Sequence, residues 1–593
     1  MTLIVFIAAM AFVFIFAWMK SRGVNKESKD GFFLGGRSLT AGVIAVGLLL
    51  NNMSATHFVG YTGDTWWGNL TTIGYEITSA VALVIAGLFL VPRYLKQGIT
   101  TIPDFLEQRY NSSTKRLATL IVIFAYLANM LPITLYSGSV VLVNIFGIDK
   151  VMGISYEAAI IGCCVLIGII GSVYALYGGL KMVATADIMN GVLLVLGGAL
   201  VVFFGFKYLG DGHILNGVKA IIVNNPEKLN SIGTATDIVP FNTTFTGLAL
   251  LVMYFWGTDQ SIIQRALAAK NLKHGQKGVM IAGLYKCFSP IMVMVPGLIA
   301  FQVFKATGLN ETITNRDLVY PMLVNMTLPT ALQGIFVAAM FGAVLSTFCG
   351  LLNSTTTLLA LNVITPIKKR ELSGEEMVTI GKRFGIIIAV FAMIIAPMLM
   401  FTPSGLFTYL QMINGFTNIP ILIMVGVGYL NKKAPAFAAK IAGIGYAAAY
   451  GISFLVVPKV NYLHRIGVLF VIAVLFMLIM GKVKPVKKEF VLKNSHAVNM
   501  KPWKYRYGFS AVLVSIMVDI YLLFSSLGLA GENGFTASTL MWLIVGAAVS
   551  TALVYLFKTI FKGREDAFYK DCDTTDDEVP DEFPSGNAIK TLN

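Results

Sequence analysis

The chain has 593 residues, of which 56% are hydrophobic and only 13% charged, and its net charge is +15. Soluble domains run about 45–50% apolar and about 25% charged, so these values, with a mean hydropathy of +0.75, exclude an ordinary soluble protein and point to a polytopic membrane protein. The basic residues fall in short clusters between apolar segments, which fits membrane topology and argues against a nucleic-acid-binding surface.

The first segment, MTLIVFIAAMAFVFIFAWMK, lacks a basic leader and a small-residue cleavage site. It reads as a first membrane helix and not as a signal peptide. About fifteen apolar segments of spanning length are predicted, near 2–20, 39–66, 71–95, 116–146, 155–177, 183–207, 244–266, 277–305, 329–366, 379–401, 404–430, 435–457, 463–481, 507–528 and 537–560. Every second loop is basic: Lys20 to Lys29, Arg93 to Arg116, Arg265 to Lys277, Lys368 to Arg383, and Lys482 to Arg506. By the positive-inside rule those loops are cytoplasmic, which puts the N-terminus outside and the C-terminus inside. Residues 208–243 then form an extracellular loop. Residues 563–593 are acidic, polar and Pro-containing, and read as a disordered cytoplasmic tail. The five cysteines, Cys163, Cys164, Cys287, Cys349 and Cys572, show neither metal-ligand spacing nor a disulfide framework.

Two of the apolar segments are interrupted. The stretch NNMSATH, Asn51 to His57, sets five polar side chains in the middle of the second segment. Hydrocarbon offers such groups no partners, so they mark a path or a site unless they bond neighbouring helices. Gly257, Thr258 and Asp259 break the seventh segment, five segments downstream. Interruptions at matching positions in two halves are the sequence pointer to a transporter built from inverted repeats, with substrate and ion held at the breaks. Other polar groups lie at membrane depth. Glu76 and Lys286 either converge on that site or staple two helices together. Gln411 serves either as a helix-packing group or as a ligand contact. Ser346, Thr347 and Asn353 to Thr357 offer hard oxygen ligands suited to an alkali cation, although hydroxyls also satisfy themselves on helix carbonyls.

Four stretches, RYLKQGITTIPDFLEQRY (93–110), YGGLKMVATADIMNG (177–191), WGTDQSIIQRALAAKN (256–271) and LLNSTTT (351–357), resemble the sodium/solute symporters. The nearest likeness is to the sodium–glucose and bacterial sodium–galactose cotransporters, and it runs from about Phe32 to Lys440. The resemblance implies an all-α, LeuT-type fold of two inverted five-helix repeats at about 39–207 and 244–430. Residues 1–38 would add one helix before them, and 431–562 further helices after. It implies a sugar site at Glu76, Ser79, Lys286 and Gln411, with Tyr75 and Phe407 as outer gating aromatics and Phe255 beneath the sugar. The sequence departs from the galactose transporters at His57, where they carry glutamine, at Val252, where they carry asparagine, and at Phe255, where they carry tyrosine. One sodium would sit on Leu50, Met53, Ala343, Ser346 and Thr347. A second would use Asp187, but Cys349 and Gly350 replace the serines it needs, so one sodium per cycle is expected.

The expected function is therefore sodium-driven import of a hexose such as glucose or galactose through a bacterial-type cell membrane. A cyclitol, an amino acid or proton coupling through His57 are the alternatives. A passive channel would more often show a ring of like groups. An enzyme pairing His57 with Glu76 would lack any nucleophile, metal cluster or phosphate loop.

Overall fold

The computed structural model describes residues 2–21, 37–368, 374–402, 405–572 and 574. Within these helices some side chains, among them those of Leu50 and of residues 176–188, lie outside the described set. Helices dominate, in chain order α1 (Thr2–Ser21), α2 (Ala41–Asn52), α3 (Ala55–Trp67), α4 (Leu70–Gln97), α5 (Ile102–Arg109), α6 (Ser112–Phe146), α7 (Tyr156–Leu209), α8 (Ile214–Asn224), α9 (Gly247–Gly257) and α10 (Gln260–Leu267). They continue as α11 (Leu272–Phe288), α12 (Pro290–Ala306), α13 (Val319–Thr327), α14 (Thr330–Lys368), α15 (Gly374–Ile395), α16 (Leu406–Leu430), α17 (Ala436–Val456), α18 (Tyr462–Val483), α19 (Arg506–Leu523) and α20 (Ala537–Tyr569).

Among the described residues, eleven helices are long and apolar enough to span a bilayer, or twelve if the pair α11 and α12, bent by 42°, counts as one span. The expected count of fifteen is therefore not confirmed. The reason is physical. Two of the predicted spans are each split into two short helices, and the apolar run of α1 covers only Thr2–Phe16. The predicted segments 155–177 and 183–207 both fall within α7, which carries two apolar windows, Tyr156–Ala175 and Met189–Leu209.

Three spans contain a widened π turn: Ala86–Leu90 in α4, Tyr126–Met130 in α6 and Ala360–Ile364 in α14. Each is followed two residues later by a proline, Pro92, Pro132 or Pro366. A proline ring clashes with the carbonyl four residues back and cannot donate to it. A π turn relieves that clash without ending the helix.

The breaks fall where the sequence places them. Met53 (φ −74, ψ 113) and Ser54 (φ −131, ψ 169) are extended and separate α2 from α3. Thr258 and Asp259 separate α9 from α10, and the Asp259 carboxylate caps α10 by accepting from Ser261 N.

Three of the basic loops, 93–116, 265–277 and 482–506, share one face of the molecule. Lys270 N donates to Leu39 O, Leu272 N to Asn499 O and Ser495 N to Lys96 O. The Arg109 guanidinium donates to the carbonyls of Gly428, Asn431 and Ala434. Lys26, Lys29, Lys369 and Arg370 lie outside the described residues. One boundary needs correction. The tail expected from residue 563 begins as helix, since α20 runs to Tyr569. Glu565 accepts from Arg506 at 2.7 Å and from Tyr507 at 2.6 Å, and Asp571 pairs with Lys96 at 2.6 Å. The acidic start of the tail is held by cations of the basic face. Residues 573 and 575–593 lie outside the described set.

Candidate binding cavity

A cavity of about 120 Å³ lies between the two breaks. All eight residues predicted to contact solute line it: His57, Tyr75, Glu76, Ser79, Phe255, Lys286, Phe407 and Gln411. They come from five helices, α3, α4, α9, α11 and α16. The cavity follows α16 from Phe407 to Asn418, about 16 Å at 1.5 Å per residue.

Glu76 and Lys286 are each 3% exposed at the side chain and form a direct ion pair. Ser289 donates to the same carboxylate, and Lys286 also donates to Asn52 Oδ1 at 2.8 Å. The pair has two structural relations. It staples α4 to α11, and it faces the cavity. A buried charge without a partner costs several kcal/mol, and here each charge neutralises the other. The bond to Asn52 ties this pair to the end of α2.

The remaining polar groups are oriented by neighbours. His57 Nδ1 lies 3.1 Å from Ser54 Oγ. Ser79 Oγ donates to Tyr75 O at 2.6 Å, which leaves its lone pairs as acceptors. Gln411 Oε1 accepts from Asn414 at 2.9 Å, and Asn129 donates to Asn414 Oδ1 at 3.1 Å. The wall from α9 is apolar apart from the indole N–H: Leu251, Val252, Phe255 and Trp256.

An aromatic lid closes the end away from the basic face. The rings of Tyr61 and Phe407 are 4.0 Å apart, and Tyr75 meets Phe407 edge-on at 5.2 Å. The Tyr75 and Tyr462 hydroxyls are 2.6 Å apart. Gly60 permits this closure, because a Cβ there would lie 2.6 Å from Phe407 Cβ. Above the lid, Arg316 pairs with Asp64 at 2.9 Å, and Thr408 donates to the same carboxylate at 3.1 Å. At the opposite end, Asn51 Nδ2 donates to Ser261 O at 3.1 Å and so links α2 to α10.

The residues expected to hold sodium lie along one side of the first break. Helix α14 packs against both α2 and α3. The extended residues Met53 and Ser54 interrupt the helical ladder, so carbonyls of the preceding turn lose their helical donors. Met53 and Ala343 are buried. Thr347 lines the cavity, and its buried hydroxyl has no hydrogen-bond partner. An orphaned oxygen of this kind suits a hard cation. Ser346 is half-buried one residue away. The side chain of Leu50 lies outside the described residues, as does that of Asp187. Cys349 donates its thiol to Gly171 O at 3.3 Å and is committed to helix packing.

Sequence reasoning missed Tyr61, Trp256, Asn414 and the anchors Ser289 and Tyr462. Tyr61 was reachable, since it lies four residues after His57 on the same helical face. Ser289 and Tyr462 carried no local signal, because each reaches its partner from another helix.

Two broken helices, a cavity between them with polar side chains in its lining and a buried charge pair are the marks of a membrane transporter. The profile of the sodium:solute symporter family matches residues 32–445. The chain is 37% identical to the uncharacterized symporter YidK of Escherichia coli (strain K12) over 562 residues, 95% of this chain and 96% of that one. It is 29% identical to the sodium/glucose cotransporter of Vibrio parahaemolyticus over 461 residues, 73% of this chain and 80% of that one. The structure of a Na+-coupled sialic acid symporter in a substrate-bound, outward-open state superposes with a TM-score of 0.70 at 19% identity, covering 82% of this chain and 99% of that one. The fold is thus the LeuT-type helix bundle. The chain belongs to the sodium:solute symporter family, and it moves a small solute together with sodium.

Proposed function

We propose that the protein imports a neutral polyhydroxylated solute, a hexose-like sugar, with one sodium ion per cycle by alternating access across the cell membrane. One observation carries this reading: the cavity gathers the hydrogen-bonding side chains of His57, Tyr75, Glu76, Ser79, Lys286 and Gln411 from four helices, while its two charges are spent on each other. An anion would favour an uncommitted cation, and a zwitterion would have to part Glu76 from Lys286. A neutral polyol asks for neither. Its hydroxyls would be bonded by Glu76, His57, Gln411 and Lys286, with Tyr75 and Phe407 stacked above and Phe255 below.

Sodium would be held by the carbonyls of Leu50, Met53 and Ala343 and by the hydroxyls of Ser346 and Thr347. Its binding would fix α2 against α14 and, through Asn52 and Lys286, preform the solute site. The repeats 39–207 and 244–430 would then rock to expose both ligands on the basic, cytoplasmic face, with the N-terminus outside. One charge crossing about 100 mV gains about 2.3 kcal/mol, and a tenfold sodium gradient adds about 1.4 kcal/mol. Together they support about five-hundredfold accumulation.

The test is uptake into proteoliposomes of purified protein with labelled hexoses, cyclitols and amino acids, with and without an inward sodium gradient. Concentrative, sodium-dependent uptake of one sugar supports the proposal. Equal, non-concentrative flux under both conditions would refute symport of that solute.

A further inference from the structure

Asp259 caps α10, and a cap needs only one of its two carboxylate oxygens. It lies between α9 and α10 and is 0% exposed. Its Oδ1 accepts three hydrogen bonds, from Ser261 N at 2.9 Å, Ser261 Oγ at 2.5 Å and Tyr126 Oη at 3.2 Å. Its Oδ2 is buried with no partner, and no described cation pairs with the carboxylate.

The helices packed against α10 supply no countercharge. Helices α2 and α9 carry no charged residue, and α9 contributes only the Tyr254 phenol. On α14 the one charged residue is Lys368, at its far end. On α11, Lys286 is committed to Glu76, and His274 Nδ1 accepts from Ala41 N at 3.0 Å. Lys273 and Lys277 lie in the first two turns of α11, on the basic face. On α4, Glu76 is held by Lys286, and Tyr94 donates to Gly257 O at 2.9 Å. Arg93 donates to Phe89 O, and Lys96 pairs with Asp571. On α10 itself, Arg265 donates to Ser261 O at 2.9 Å. From α6, Tyr126 donates as described.

An isolated carboxylate in such surroundings costs several kcal/mol if ionised. A proton on Oδ2 removes that charge and leaves the three bonds to Oδ1 intact. The position ties this carboxyl to closure. Ser261, which binds Asp259, also receives Asn51 from α2, and both residues line the cavity at the end nearest the basic face. Helix α10 runs from Asp259 directly to that face, where Leu39 N donates to Ala268 O.

We propose that Asp259 is a proton-binding site whose occupancy holds the basic-face end of the cavity shut. While Asn51 and Ser261 are in contact the group is a neutral carboxylic acid. When they part, water reaches Oδ2, the O–H bond breaks and the proton leaves to water as hydronium. Opening thus releases one proton and closing takes one up. Acid on the basic-face side favours the closed form, and alkali favours the open one. This rests on the alternating cycle proposed above.

Two measurements test it. The first needs no transport: infrared difference spectra of purified protein over a pH series. A protonated-carboxyl C=O band that disappears with rising pH is expected. Asp259→Asn should lack it, and Ser261→Ala, which strips one donor from Oδ1, should shift it. No such band in the unmodified protein, or a band unmoved by both substitutions, overturns the proposal. The second is sodium-driven uptake into oriented proteoliposomes with the pH varied on the basic-face side. Uptake should fall about tenfold per pH unit below the carboxyl's midpoint. Asp259→Asn, an equally good helix cap, should be slow at every pH with a flat profile. An Asp259→Asn profile that tracks the unmodified protein overturns the proposal. If no sugar is taken up at any pH, the transport reading fails, and the infrared band alone decides the protonation site. The band likewise decides if Asp259→Asn does not fold.

Discussion

The two broken helices solve one problem with opposite chemistry. The first break, between α2 and α3, is crowded with polar side chains, and its neighbours bind them: Lys286 reaches Asn52, and Ser54 reaches His57. The second break, between α9 and α10, presents an almost wholly apolar wall to the cavity. Its polar groups turn away from the wall, with Tyr94 on Gly257 O and Tyr126 on Asp259. On the cycle proposed above, the first break would hold ligands, and the second would seal and part.

The comparison breaks most sharply at Lys286. Lys286→Met leaves Glu76 buried without its partner and frees Asn52 at the first break. Loss of a buried pair's partner destabilises by about 3–5 kcal/mol, so the unfolding temperature should drop sharply and uptake should be lost. The double variant Glu76→Gln with Lys286→Met should regain thermal stability yet remain inactive. If the double variant transports, the pair is a staple and nothing more.

Thr347→Ala sharpens the same side with a smaller effect. Its hydroxyl has no hydrogen bond to lose within the protein, so the unfolding temperature should hold. The sodium concentration for half-maximal uptake should rise about tenfold, the equivalent of roughly 1.4 kcal/mol. A change in solute affinity at saturating sodium, with the sodium requirement unmoved, would remove Thr347 from the ion site.

This contrast also explains what could be read from sequence. NNMSATH announces the first break because polar density at membrane depth has few explanations. GTD announces the second only by interrupting an apolar run. The eight candidate contacts were legible through motif resemblance, and the cavity gathers all of them. The lid geometry was not, since Tyr61 and Tyr462 act through rings and hydroxyls brought together by packing. Nor was the fate of the tail. REDAFYKD has the composition of a solvated segment, and only the cations of the basic face, Arg506 and Lys96, reveal why it is held.

Tyr94→Phe probes the second break at lower amplitude. It removes the donor to Gly257 O and leaves that carbonyl buried without one, at a cost of about 1–3 kcal/mol. The seal should loosen before the solute site is altered. Efflux from preloaded proteoliposomes in the absence of sodium should rise, with solute affinity unchanged. Unchanged efflux with weakened solute binding would assign Tyr94 to the ligand side of the comparison.

The smallest effect is expected away from both breaks. Asp571 is 62% exposed where it meets Lys96, and the Lys96 ammonium holds its carboxyl below the usual carboxylate range. A depressed folded-state pKa contributes stability above the unfolded value near 3.9 and loses it as the pH falls through the folded one. Solvent screens so exposed a pair to at most about 1 kcal/mol. Asp571→Asn should therefore lower the unfolding temperature slightly at neutral pH and not at all in strong acid. Sodium-driven uptake should stay unchanged, because Lys96 keeps its bond to Phe568 O. A large loss of uptake would mean that the C-terminal clasp on α4 is coupled to the second break through Tyr94, half a turn away on the same helix.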